Sequence, residues 1–404
     1  MGRWAFGALT GLVLLACGSA DQTVSTLTRR DSLGIEIVES ATPAWAAGAG
    51  WTIPAEPLLA IGVAEGDPNY VFDRIVGALR LCDGRTVVAT GQSNQLRSFD
   101  STGRFLRSSG GTGAGPGEFR GLSWIGRLGC DSLLAWDRGN FRLTVVGPGG
   151  AYLRSAPMER PLMGFLNLIG LLPDRTLLAS LQTGGEQDGV RRDTLTYLRY
   201  GLDGALRDTV GRLPGLLLHT AVTRRPDGRP ASARMSVVPL TPYPRAVVTH
   251  DGFYYGAGDT YEIRQYSEGG ALRRLIRRPM APRSLTDAHL TDYRNRYLAS
   301  LRDDEARREQ ERQWREMPVP RTAPAYGWLG ADEEGNLWVG GYPLPGDSAS
   351  GTAVFDPTGV LLGAVTMPRR FLPLHIGADF LLGVTRDEDE LEYVRLYRLV
   401  KPGG

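Results

Sequence analysis

The sequence predicts an all-β chain of six four-stranded units, closed into a ring by a segment near its own N-terminus. Three observations carry this reading: a hairpin motif that recurs five times, a turn-and-strand motif that recurs six times, and a short apolar segment that supplies the strand the last unit lacks. Composition agrees. The 404 residues are 42% hydrophobic and 22% charged, with 53 Gly and 26 Pro, which suits a globular chain rather than a disordered, collagen-like or polytopic one. The 46 basic residues nearly cancel the 44 acidic ones, so nothing favours nucleic acid as a partner or steering of anions by the molecule as a whole.

The hairpin motif reads aromatic or Val, three turn residues, Gly, any residue, apolar. Phe99 to Phe105 around Gly103 is the type copy, followed by Val146 to Tyr152 around Gly150, Tyr200 to Leu206 around Gly204, Tyr266 to Leu272 around Gly270 and Phe355 to Leu361 around Gly359. Each Gly stands where a tight turn needs positive φ. The second motif is an Asp or Gly turn followed by a short apolar strand. Its copies begin at Asp83, Asp131, Asp174, Asp251, Gly335 and Asp379. Together the motifs give four short strands per unit.

Six turns against five hairpins leave the last unit one strand short, because the chain stops at Pro402-Gly403 where the sixth hairpin should form. Residues 57–62, Pro-Leu-Leu-Ala-Ile-Gly, can supply it. The next stretch, Glu65 to Phe72, parallels Gly113 to Phe119 after the outer strand of the first unit. A lone four-stranded sheet cannot bury both faces, so radial packing of six shares one continuous core. The architecture predicted is a six-bladed β-propeller over residues 57–401, with an N-terminal strand completing the C-terminal blade.

One stretch breaks the pattern. From Ser284 to Met317 there is no strand signal, and Leu290, Tyr293, Tyr297 and Leu301 recur at helical spacing, with Ser284 and Asp287 placed like a capping box. A helical insertion at 284–317, between blades four and five, is expected. Asp303/Arg307, Asp304/Arg308 and Glu311/Arg315 are spaced to pair along its surface. Two readings stay open: a solvated helix whose Tyr/Leu stripe packs on the propeller, or a lid or partner-docking element.

At the N-terminus, Arg3 precedes an apolar run from Trp4 to Leu15, which suits an export signal and is too short to span a bilayer. Leu14-Leu15-Ala16-Cys17 resembles a bacterial lipobox. The resemblance implies a signal peptide over 1–16, lipidation at Cys17 and an anchor and lead-in over 17–56. Gly18 in place of Asp implies an outer-membrane address facing the periplasm. The lipid is then the only membrane contact. Export also permits a disulfide. Cys82 and Cys130 occupy equivalent turns of adjacent units, 48 residues apart, and are read either as a bridge or as two separate buried thiols.

Ala135 to Leu143, and Phe99 to Phe119 with its Gly-rich Gly113 to Gly117, resemble NHL repeats of six-bladed propellers. The resemblance is good over residues 75–155 and weak elsewhere. It implies fold rather than function, and within that group the chain is most similar to bacterial lipoproteins described only as six-bladed propellers.

Propeller ligands meet the channel mouth, where outer-to-inner loops converge. Those loops hold Asp73, Arg74, Arg120, Asn167, Arg245 and Tyr326, a cationic and polar set. Three arginines on one rim suit a carboxylate, phosphate or acidic peptide, because guanidinium pairs bidentately with such groups; the alternative is that they bond backbone carbonyls at blade junctions. The expectation is a monomeric, non-catalytic binding module for a protein, peptide or small anionic ligand, with no cofactor or metal. The competing class is a metal-assisted hydrolase, lactonase or lyase using Asp73 and Asn167 in the channel. His219 is placed in a long loop, His289 on the insertion, and none of the four histidines has a partner at metal-ligand spacing.

Overall fold

The computed structural model of the protein describes residue 1 and residues 27–183, 188–345, 347 and 351–402. Cys17 and residues 2–16 of the expected signal lie outside the described residues.

Six sheets form among the described residues, over 75–110, 122–157, 165–237, 245–277, 328–366 and 371–398; they are called blades one to six. Each runs as an antiparallel meander from an inner to an outer strand. The inner strands (Ile75–Arg80, Leu122–Arg127, Phe165–Leu171, Arg245–Thr249, Trp328–Ala331, Phe371–Ile376) lie beside one another in that order, and the sixth lies beside the first. The chain is therefore an all-β propeller. Its core is divided by the seams: six buried apolar clusters, each made by two neighbouring blades, close the same circle.

The repeat motifs do the local work expected of them. All five hairpin glycines have φ between 77° and 88°, a region closed to most side chains. Each hairpin also carries the same register shift just before its turn. The six Asp or Gly turns join the first and second strands of the six blades.

Leu59–Ile61 pairs antiparallel with Glu392–Arg398, Ile61 opposite Val394 and Leu59 opposite Leu396, and so completes blade six. Both apolar side chains enter the seam with blade one, Ile61 at 1% exposure. Burial of a side chain of this size contributes about 1.5–3 kcal/mol. The loop after this strand is held as its counterpart after blade one is held. Arg97 donates to the carbonyls of Pro68 and Val71, while Arg142 donates to those of Ala114, Gly115 and Glu118. Asp137, fully buried, accepts from the backbone of Arg120, Gly139 and Asn140 and sets the turn from which Asn140 reaches Gly113.

Cys82 and Cys130 form a disulfide between blades one and two. Beside it, the Cys82 N–H donates to the Cys130 carbonyl at 3.2 Å.

Several expectations need correction. Blade three has five strands, not four, because Gly189–Tyr200 and Leu206–Arg224 run far past the sheet and Pro230–Val237 adds a fifth. His219 accordingly lies in a strand and is 6% exposed, not in a loop. Part of the lead-in is structured: Leu27–Ser32 and Ile35–Ser40 form a hairpin whose second strand adds in parallel to the outer strand of blade four. From there the chain laces two further blades. Ala44 and Trp45 donate to carbonyls of blade five, and Thr52 and Val400 exchange hydrogen bonds beside blade six. Trp45, Trp51 and Trp338 follow one another in series, their rings tilted by 43° and 41° with centroids 5.2 and 5.8 Å apart.

The insertion between blades four and five is two helices, α1 (Asp287–Ser300) and α2 (Asp304–Glu316). The capping box falls two residues later than expected: Thr286 and His289 form it, because Ser284 is engaged in a bridge with Thr322 at the base of the insertion. The expected i, i+4 pairs do not form. Asp303 instead caps α2, Asp304 pairs with Arg307 at i+3, and Arg312 pairs with Glu309.

Candidate functional site

The outer-to-inner loops do converge at one end of the ring, at the starts of the inner strands, but the structure divides the expected residues among separate tasks. Arg74, with φ 58°, turns its guanidinium back to the Gly91 carbonyl at 2.8 Å. Arg370, at the equivalent place before the inner strand of blade six, has φ 52° and donates to the Asp387 carbonyl. Both side chains hold the turn between the second and third strands of their own blade. Asp73 accepts from Ser93 Oγ at 3.1 Å. Arg120 is exposed, its backbone N–H bound by Asp137. Asn167 is exposed within its inner strand. Arg74 and Asp73 are thus engaged by the turn of their own blade, and no hydrogen bond joins Asp73 to Asn167. Among the described residues no group of three or more His, Cys, Asp or Glu is placed to hold a metal ion.

Arg245 and Tyr326 do come together. Both border a cleft of about 490 Å³ between the helical insertion and the starts of blades four and five. Tyr326 is a wall rather than a contact group. It is 3% exposed, and its hydroxyl accepts from the Gly258 N–H at 3.0 Å and donates to the Glu262 carbonyl. Gly256 permits this, since a Cβ there would stand 2.0 Å from the Tyr326 hydroxyl. Arg245 is different. Water reaches its side chain, yet protein surrounds most of it, and that desolvation lowers its pKa while the Tyr243 phenol works the other way. Its guanidinium carbon lies 5.4 Å from the centre of the Tyr243 ring. Among the described residues it has no carboxylate partner.

Much of the remaining lining is aromatic, beside the polar Ser236, Thr241 and Gln310. Tyr293 and Tyr297, successive turns of α1, have their rings 6.2 Å apart, and Trp314 of α2 meets Tyr297 at 5.4 Å and Tyr293 at 6.2 Å. Tyr342 of blade five completes the lining. The stripe read on α1 therefore does not pack on the propeller core. No α1 residue is buried; Tyr293 and Tyr297 of the stripe face Trp314 and the cleft, while Leu301 borders a separate cleft between α2 and the blade three hairpin.

The helices are held over the cleft from two sides. At the base, Leu285 donates to Arg321 and Ala323 to Arg283, at 2.9 and 2.8 Å. On the flank, Ser236 Oγ donates to Gln313 at 3.1 Å and Arg234 pairs with Glu309 at 3.1 Å, which docks α2 on the overlong hairpin of blade three. Sequence reasoning finds Arg245 and Tyr326 from the blade register. It misses the aromatic wall, although the helical spacing of Tyr293 and Tyr297 marks them out, because nothing local states which face of a helix meets a residue 50 positions away.

The far end of the channel is built differently. Arg127, last in the inner strand of blade two, pairs with Glu333 of blade five at 2.7 Å. The Arg80 N–H donates to His375 Nδ1 at 3.1 Å, which leaves the proton on Nε2 to face Glu333, also at 3.1 Å.

No helix among the described residues is long and apolar enough to cross a membrane. No protein-family model matches the sequence, and no curated protein matches it. Among solved structures the chain is similar to the exported protein BF0058 from Bacteroides fragilis, at 12% identity over 90% of this chain and 98% of that one, TM-score 0.47. It is similar also to the calcium-binding protein regucalcin from Agrobacterium tumefaciens, at 12% identity over 86% and 96%, TM-score 0.40. Virginiamycin B lyase from Staphylococcus aureus aligns at 9% identity over 87% and 100%, TM-score 0.41.

Proposed function

We propose that the protein is an exported, lipid-anchored β-propeller that binds a small anionic ligand in the Arg245 cleft without transforming it. One observation carries the reading: a guanidinium that water reaches lines a cleft and has no carboxylate partner among the described residues. A guanidinium partly surrounded by protein attracts an anion more strongly than one in open solvent does. An anion entering the cleft supplies the partner. Export and anchoring rest on the Trp4 to Leu15 run and Cys17.

The test is thermal unfolding of the full chain with a panel of carboxylates, phosphate and sulfate. At least one anion raises the midpoint in the native protein and fails to do so in Arg245→Met. Midpoints that no anion moves, or that move equally in the variant, overturn the proposal.

A further inference from the structure

We propose that the Arg245 cleft takes an aryl carboxylate, a flat and mostly apolar anion with a single negative charge. This rests on the reading that Arg245 binds an anion, and adds which kind.

Charge sets the first limit. Arg245 is the only charged side chain lining the cleft among the described residues. The neighbouring cations are committed elsewhere: Arg296 pairs with Asp292 at 2.6 Å, and Arg294 lies over Trp314 at 5.9 Å from the ring centre, outside the lining. One positive charge balances one negative charge. A phosphate dianion or a phosphorylated peptide would bring a surplus negative charge that no second cation in the described lining meets. The planar fork of a guanidinium matches a carboxylate with two parallel hydrogen bonds.

Shape sets the second. A volume of about 490 Å³ lies within the ordinary range of small-molecule sites. Five aromatic residues, Tyr243, Tyr293, Tyr297, Trp314 and Tyr342, share its lining with the polar Ser236, Thr241 and Gln310, and Val238 and Leu240 lie buried beneath. Aromatic rings gain from offset or edge-to-face neighbours beyond the area they bury, and a rigid ring loses less freedom on binding than an acyl chain does.

Hydrogen bonding sets the third. The hydroxyls of Tyr243, Tyr293, Tyr297 and Tyr342 make no hydrogen bond to the described residues, so donors remain for a carboxylate oxygen that Arg245 does not satisfy. Burial raises the pKa of Tyr293 and Tyr342, which keeps both phenols neutral and donating at physiological pH.

Calorimetric titration of the full chain tests this with four probes: biphenyl-4-carboxylate, its neutral carboxamide, decanoate and inorganic phosphate. Biphenyl-4-carboxylate is expected to bind one per chain, the carboxamide and decanoate at least tenfold more weakly, and phosphate not at all. Arg245→Met lowers affinity for the carboxylate at least tenfold and leaves that for the carboxamide unchanged. Trp314→Leu weakens both biphenyls alike. Should Arg245→Met fail to fold by circular dichroism, Arg245→Lys, which keeps the charge without the fork, is expected to fall between native and unbound.

Two outcomes overturn the inference in distinguishable ways. Decanoate or phosphate binding as tightly as biphenyl-4-carboxylate, with the loss in Arg245→Met retained, removes the aryl preference and leaves the anion site standing. Equal binding of carboxylate and carboxamide, or no binding of the carboxylate, removes the inference; where phosphate and decanoate are also silent, the anion reading goes with it.

Discussion

Arg127 and Glu333 meet at 2.7 Å although they belong to blades two and five, opposite members of the ring, so one ion pair spans the far end of the channel. His375 of blade six joins the same carboxylate, and its other nitrogen holds the backbone of Arg80 in blade one. Four blades are tied through one glutamate.

That arrangement makes acid stability depend on Glu333. The hydrogen bond from His375, ahead of the opposing cost of burial and the charge of Arg127, holds its carboxyl below the usual value. A carboxyl depressed on folding stabilises the native state above its unfolded pKa, and that contribution is lost as pH falls through the folded value. Both side chains are about one-third exposed, so solvent screening keeps the effect small. Glu333→Gln is expected to lower stability by about 1 kcal/mol at pH 7. In urea titrations the gap between variant and native should narrow below about pH 4.

Ring closure gives a larger effect. Ile61→Ala leaves a void in the seam between blades six and one, where Ile61 packs among Val394, Phe380 and Val88. A loss of about 2–4 kcal/mol is expected. Combination with Val394→Ala should cost less than the sum, because the two share one cavity. Urea midpoints of the two single variants and the double variant check both statements.

The Cys82–Cys130 bridge closes a 48-residue separation. Replacing both cysteines by Ser is expected to destabilise the protein by about 3–4 kcal/mol. Reducing agent should lower the thermal midpoint of the native chain and leave that of the double variant in place.

Cys17→Ser is expected to move the protein from the membrane fraction to the soluble fraction of lysed cells. Intact-mass measurement of the native chain should show loss of residues 1–16 and an added acyl mass on Cys17. A native chain that already fractionates as soluble, with an unmodified N-terminus, removes the anchor.

Fold and site were legible to different depths. The blades could be read because their determinants are local: a turn glycine at positive φ and an apolar run of four or five residues repeat whatever surrounds them. The strand Leu59–Ile61 could be read only by counting, as the missing partner of Glu392–Arg398. Ile35–Ser40 could not, since a parallel edge strand 238 residues from its ion-pair partner Arg274 leaves no turn to announce it. Arg74 shows how the fold can claim a rim side chain. Its chemistry suits an anion, but its backbone conformation and the Gly91 carbonyl claim the side chain first. Arg245 keeps its charge available because the strand partner opposite it is Gly256, which offers no side chain to pair with it.

Completion of blade six by Leu59–Ile61 also orders events in time. Residues 62–393 must all be made before Val394 exists to receive Ile61, and bringing such distant stretches together is entropically slow. A nascent chain can assemble blades one to five while Leu59–Ile61 waits unclasped. Late-arriving residues 392–398 then act as the latch, and a ribosome that stops short of them releases an open arc with an unpaired edge rather than a smaller ring.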